Sequence, residues 1–418
     1  MTRAIACLLL ASCLSEPGRP GGSGSGSSSG SGAASLHPQT VVADVDGDGY
    51  DDLIVWGHDT NASDGSDAAM FVYFGGLSGL ATPMRVSLMT FDDAPDSDTA
   101  DQAVVWTEPV TMSSVSTGAA SDVVALIGRD VTPPPRVERY DYVQRWSFAN
   151  RVPSVVHSGN PPLRALGAYA TDSAGAYAIQ RQTSGGPDEI VVGDPSSVFV
   201  YPDDIDAQTG PTEPNMTHPY GNATLEAGMF AMPRPSAGVE QDLVEIAEAG
   251  VYVTTGSDTA GLEFAGGVDI ARGSNNPRLA RAGRIASTTS EITTCAFNQY
   301  LAIVEISAGS PSFWYLLVQT TNSSDVTDIA LADFGGMPNA VTIEENTLFL
   351  YQDLALGSDD TTATPANRST MPIDPSYDLL AIGNFDGTGD QIDVLSTTDL
   401  GETPACFTAT AGVLASCD

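Results

Sequence analysis

The chain has 418 residues, with 53 acidic side chains against 16 basic ones and a formal net charge of −37. All sixteen basic residues are arginines. At 42% hydrophobic the chain can build a sizeable core, which excludes global disorder. So negative a balance excludes a generic nucleic-acid binder and argues against lying flat on an anionic membrane.

Residues 1–12 read as a short export signal. Arg3 supplies the positive start, and Ala4 to Ala11 form an apolar stretch far too short to span a bilayer. The stretch ends in Leu10-Ala11-Ser12-Cys13, which resembles the lipobox of bacterial lipoproteins. The resemblance implies that Cys13 carries lipid and anchors the exported chain at the bacterial cell envelope, on the outer membrane or cell surface. Residues 13–36 are a flexible Gly/Ser-rich tether with nothing to bury. Residues 37–418 are the expected globular domain, and none of its apolar runs is long enough for a transmembrane helix.

The domain opens on its sharpest motif, Asp44-Val45-Asp46-Gly47-Asp48-Gly49-Tyr50-Asp51-Asp52. Carboxylates at loop positions 1, 3, 5 and 9 can converge on one centre, and the glycine at position 6 permits a sharp turn. Asp44, Asp46, Asp48 and Asp52, with the backbone carbonyl of Tyr50, form a hard oxygen set suited to calcium. An EF-hand would need Glu at position 12, where Val55 stands, and flanking helices, whereas this loop runs straight into the strand-like Leu53-Ile54-Val55. With Phe74-Gly75-Gly76-Leu77-Ser78-Gly79-Leu80 following an aromatic strand, the segment resembles an FG-GAP (VCBS-type) repeat. Such repeats are the blade units of integrin α-chain propellers and of many bacterial envelope proteins. The resemblance implies a seven-bladed β-propeller with calcium held in the loops of some blades.

An acidic or polar residue, a short apolar run, a gap and an aromatic run then recur along the chain. The first runs start at Asp52, Asp122, Asp188, Asp242, Leu301, Asn339 and Asp393. Their aromatic partners are Phe71 to Phe74, Tyr140 to Val143, Val198 to Tyr201, Val251 to Val253, Phe313 to Leu316, Leu348 to Tyr351 and Cys406-Phe407. From Asp52 to Asp393 is 341 positions over six steps, about 57 per unit, although the individual spacings are uneven. Short runs rich in Val, Ile, Tyr and Phe, bounded by turn residues, are strand signals. Val239 to Ala249 has the Glu and Ala content of a helix, but Gly250 leads straight into Val251-Tyr252-Val253, so it is read as strand. The period suits an all-β architecture of four-stranded antiparallel propeller blades, with seven expected and six or eight left open by the uneven spacings.

The last repeat carries a weaker loop. Asn384, Asp386 and Thr388 occupy positions 1, 3 and 5, Ile392 stands at position 9, and the expected acid is displaced to Asp393. Beyond it, Cys406 and Cys417 are symmetric about Ala411-Gly412, a two-residue hairpin turn that would place them opposite one another for a disulfide. No nucleophile elbow, phosphate loop or dinucleotide fingerprint is present. The expected function is therefore a non-enzymatic, envelope-anchored binding or adhesion propeller with calcium-ordered loops. Its partner would be a surface protein or a glycan, with no nucleic acid, and it would meet the membrane only through the lipid anchor. The alternatives are a polysaccharide-active hydrolase or lyase on the same scaffold and a structural spacer.

Overall fold

In the computed structural model the described residues are the strands named below together with the connections 44–51, 74–83, 120, 148–153, 334, 345–346, 352, 373–378, 384–390, 396–404, 411–412 and 417. The signal, Cys13 and the tether lie outside them. The first sheet is β1 (Thr40–Ala43), β2 (Asp52–His58), β3 (Ala68–Tyr73) and β4 (Met84–Ser87). The second is β5 (Trp106–Ser116), β6 (Ser121–Asp130), β7 (Arg139–Ser147) and β8 (Ser154–His157). The third is β9 (Tyr177–Arg181), β10 (Glu189–Gly193), β11 (Ser197–Pro202) and β12 (Met216–Pro219). The fourth is β13 (Leu225–Pro233), β14 (Gln241–Ala247), β15 (Gly250–Ser257) and β16 (Gly261–Asp269). The fifth is β17 (Leu279–Arg284), β18 (Glu291–Phe297), β19 (Tyr300–Ile306) and β20 (Phe313–Gln319).

The sixth sheet is β21 (Val326–Asp333), β22 (Pro338–Glu344), β23 (Thr347–Tyr351) and β25 (Arg368–Pro372). Between its last two strands, β24 (Thr361–Ala363) leaves to pair in parallel with β20, making the fifth sheet five-stranded. The seventh is β26 (Leu379–Gly383), β27 (Gln391–Leu395), β28 (Ala405–Thr410) and β29 (Val413–Ser416). Within each four-strand run, neighbours in sequence pair antiparallel. The first strands β1, β5, β9, β13, β17, β21 and β26 each touch the next, and β26 returns to β1. Sheets ringed around their first strands make this an all-β fold of the β-propeller class.

In β2 the apolar run is continuous, not alternating, because the first sheet is covered on both faces. In β2, Ile54 points into a core with Val41, Met70, Val72, Phe74, Val123, Trp146 and Phe148, between the first and second sheets. Its neighbours Leu53 and Val55 point the other way, into a core with Phe71, Tyr73, Leu379, Ala381, Phe385 and Leu395, between the first and seventh. Each fully buried side chain of this kind contributes about 1.5–3 kcal/mol. The Val239 to Ala249 segment is strand, as β14.

The fifth repeat departs from the sequence reading. Leu301 to Val304 lies in β19, the third strand of its sheet, and Phe313 to Leu316 in the fourth. The second strand is β18, Glu291–Phe297, whose adjacent threonines hide it from a search for apolar runs. Counting from β18 evens the two spacings on either side of the fifth repeat: Asp242 to Glu291 is 49 positions and Glu291 to Asn339 is 48.

At the rim of the seventh sheet, the chain turns through Ala411 (φ 49°) and Gly412 (φ 78°), the left-handed pair of a two-residue hairpin. Phe407 pairs with Ser416, and just beyond that pair Cys406 and Cys417 are joined by a disulfide, with Cα atoms 5.4 Å apart.

Candidate functional site

The first loop connects β1 to β2 and folds around its own carboxylates. Asp44 accepts the N–H of Gly47 at Oδ1 (2.7 Å) and of Gly49 at Oδ2 (2.9 Å). Asp46 Oδ1 accepts from Asp48 N and Asp48 Oδ1 from Tyr50 N, each at 3.0 Å. These short-range bonds are the ordinary way Asp organises a turn. Gly47 (φ 84°) and Gly49 (φ 91°) supply the left-handed backbone that lets every second side chain face inward. Carboxylate oxygens of Asp44, Asp46 and Asp48 consequently lie within 4.8 Å of one another.

Three negative groups so close repel unless a cation answers them. Arg151 does so from the connection between β7 and β8. Its Nε donates to Asp46 Oδ2 at 2.7 Å and its Nη2 to Asp48 Oδ2 at 2.9 Å. Nη2 also reaches the Gly75 carbonyl at 3.1 Å, and the guanidinium lies 5.0 Å from the centre of the Phe74 ring. Successive left-handed residues, Asn150 (φ 57°) and Arg151 (φ 61°), turn the side chain toward the loop.

Asp52 is not a member of the triad. It is fully buried, and both of its oxygens are taken by backbone donors. Oδ2 accepts from Val45 N (2.8 Å) and Asp46 N (3.3 Å), and Oδ1 from Gly75 N (2.8 Å). Burial pushes its carboxyl up to about 7 against the pull of those donors, and the Asp46 charge adds to the rise. Asp52, the residue at position 9, thereby ties the loop to the segment after β3. Tyr50 donates its N–H to Asp48, and its ring lies so close to Gly387 that a methyl there would come within 2.9 Å of it.

The last loop repeats the fold of the first with different side chains. Asn384 Oδ1 accepts from Gly389 N at 3.0 Å, as Asp44 does from Gly49. Asp386 Oδ1 accepts both the N–H and the hydroxyl of Thr388, each at 2.7 Å. The register shows what the sequence spacing obscures. Ala43 pairs with Asp52, and Gly383 pairs with Gln391, so this loop is one residue shorter and Gln391 takes the place of Asp52. Asp393 sits two residues further on, paired with Ala381 and Cys406. Its carboxyl is pushed up to about 7 by burial, with a smaller contribution from Asp386.

The two loops meet at the seam between the first and seventh sheets. Asp51 N donates to Asn384 O (3.2 Å), Asn384 N to Asp51 Oδ2 (2.7 Å) and Gly76 N to Phe385 O (2.9 Å). Gly75 passes between them with no room for a side chain, since a methyl there would lie 2.3 Å from Asp51 O and 3.0 Å from Phe385 O. Ser121 N donates to Asp44 O at 2.7 Å, so the loop also touches the second sheet. Sequence reasoning found the triad and the Gly-Gly turn but missed Arg151, which lies 103 positions beyond Asp48 in no recognisable motif.

No family model matches the chain, and no curated protein matches it. Among solved structures it is similar to a protein from Lactobacillus plantarum, with 13% identity, a TM-score of 0.44, and coverage of 87% of this chain and 94% of that one. It is also similar to the Nup133 β-propeller domain of Vanderwaltozyma polyspora, with 10% identity, a TM-score of 0.41, and coverage of 83% and 95%. A third likeness is to BBS1N, from its complex with ARL6DN, with 10% identity, a TM-score of 0.34, and coverage of 86% and 89%. The propeller assignment rests on the sheet order and ring contacts of this chain. Fold and site together define a β-propeller with an acidic loop at its closing seam.

Proposed function

We propose that this chain is an FG-GAP/VCBS-type propeller, lipid-anchored at the cell envelope through Cys13, that binds a surface protein or glycan without catalysing a reaction. Its first loop takes calcium. The observation that carries this reading is the convergence of Asp44, Asp46 and Asp48 at the seam. The donor set fits a hard cation: it is all carboxylate oxygen, and an oxygen that accepts one N–H keeps a second lone pair. Asp44, Asp46 and Asp48 would hold the ion, with Asp52 and the Tyr50 carbonyl the further donors of the loop. Calcium would supply positive charge that cancels the repulsion of the triad and orders the loop. Two other buried acids, Asp122 and Asp328, are tied into the scaffold. Asp122 is held by Arg145 at 2.8 Å, and Asp328 accepts from Ile329 N and Leu380 N, each at 2.8 Å.

The test is retention of the full chain on a panel of envelope glycans and purified surface proteins, in millimolar calcium and in EDTA, with Asp46→Ala beside it. Calcium-dependent retention at micromolar concentration, lost in the variant, is the expected outcome. No retention of any partner would refute the binding reading. Release of reducing ends from the glycans would replace it with a polysaccharide-active one.

A further inference from the structure

Each carboxylate of the triad has two oxygens, and the backbone claims four of the six. Both oxygens of Asp44, Oδ1 of Asp46 and Oδ1 of Asp48 accept N–H groups of the loop itself. The remaining two are Asp46 Oδ2 and Asp48 Oδ2, and Arg151 holds both. The oxygens with no backbone duty, those best able to turn toward an ion, are therefore the ones the guanidinium covers. A calcium ion needs oxygens at about 2.3–2.6 Å and several of them at once. An ion bound through Asp46 Oδ2 and Asp48 Oδ2 would be repelled by the guanidinium already at hydrogen-bond distance from both.

We propose that Arg151 is the resident counter-cation of the first loop and that divalent-ion binding there exchanges with it. The inference rests on the calcium reading of this loop and adds its regulation. In one state the guanidinium clasps the first sheet's loop to the β7–β8 connection of the second. In the other the ion holds the carboxylates and the clasp is open. Arg151 is suited to such an exchange because it has partners outside the triad. The Gly75 carbonyl and the Phe74 ring remain to it when the carboxylates turn away. Its side chain is 46% exposed, so release brings little desolvation to reverse. The turn that carries it is short and held by Arg151 N to Phe148 O (2.8 Å) and Val152 N to Ala149 O (3.3 Å). Loss of the side-chain clasp is thus felt directly in those two amides.

The experiment is calcium titration of the full chain by calorimetry, comparing wild type with Arg151→Ala and Arg151→Lys. Hydrogen exchange is followed over residues 148–153. Removing the competitor should tighten calcium binding by about tenfold in Arg151→Ala, the size expected of a two-point ion pair. Arg151→Lys, which keeps the charge but not the paired donors, should fall between. In wild type, calcium should speed exchange of the 148–153 amides, and in Arg151→Ala they should be fast from the start and indifferent to calcium. Binding to the variant alone would also support the exchange. Equal affinity in wild type and Arg151→Ala, with unchanged exchange over 148–153, would overturn the proposal and leave the calcium reading standing. Binding to none of the three proteins would overturn both.

Discussion

Glu245 offers a test of how this fold carries its acids. It lies mid-way along β14, 3% exposed, between Leu243, Val244 and Ile246, all buried. Thr254 donates a hydrogen bond to it, while Oε1 has no partner. Burial lifts its carboxyl from 4.5 to about 7, and the Thr254 bond only partly opposes the rise. Between those values the folded chain binds a proton that the unfolded chain has lost, so stability falls as pH rises through the window. At about 1.4 kcal/mol per pH unit, the cost reaches about 3 kcal/mol above pH 7 and is absent below pH 4.5. Glu245→Gln keeps an acceptor for Thr254 and never ionises. Urea unfolding of both proteins from pH 4.5 to 8 should show no difference at the acid end and a variant roughly 3 kcal/mol more stable at the alkaline end. Other raised carboxyls, such as Asp393, bend both curves alike and cancel in the difference. A difference that does not vary with pH, or a variant less stable at pH 8, would refute the reasoning.

Three further outcomes are expected. Gly75→Ala must push apart the backbone of the two seam loops and should cost about 2–4 kcal/mol in thermal or urea unfolding. Gly76→Ala, with nothing within 4 Å of the added methyl, should stay within about 0.5 kcal/mol of wild type in the same assay. Cys406→Ser opens the 11-residue link to Cys417 and should lower stability by roughly 3 kcal/mol, a loss that reductant reproduces in wild type and not in the variant.

The strands were legible where burial on both faces produced a dense apolar run, as in Leu53 to Val55 or Leu348 to Tyr351. β18 was not, because Thr293 and Thr294 favour strands through β-branching while diluting the hydrophobic signal. Pairing the fifth repeat from β19 then made its neighbours look unevenly spaced. The triad was legible because alternate Asp residues with intervening glycines leave few other conformations. The backbone donors that hold Asp52 were not legible, because the sequence records which acids are near the loop but not which amides their oxygens meet. The length of the last loop was not legible for a related reason. Counting positions assumes equal loop lengths, and only strand pairing shows that Gln391 stands where Asp52 does. Arg151 needed the ring itself, since no local pattern brings the second sheet's turn onto the first sheet's loop.

Among the described residues, each of the first and last sheets is drawn from its own contiguous stretch of chain, and no strand crosses the seam between them. Side-chain packing, the bonds around Asp51, Gly76 and Phe385, and the buried bond from the Tyr73 hydroxyl to the Leu400 carbonyl close the circle. The domain is therefore a strip bent until its two ends adhere. Its opening is a sideways parting in which nothing has to be unthreaded, and its closing is a docking of two finished surfaces. Such a strip has no privileged starting point. A chain joined across this seam and cut at the gap between any other two sheets would keep every strand pair, the parallel β20–β24 bridge included.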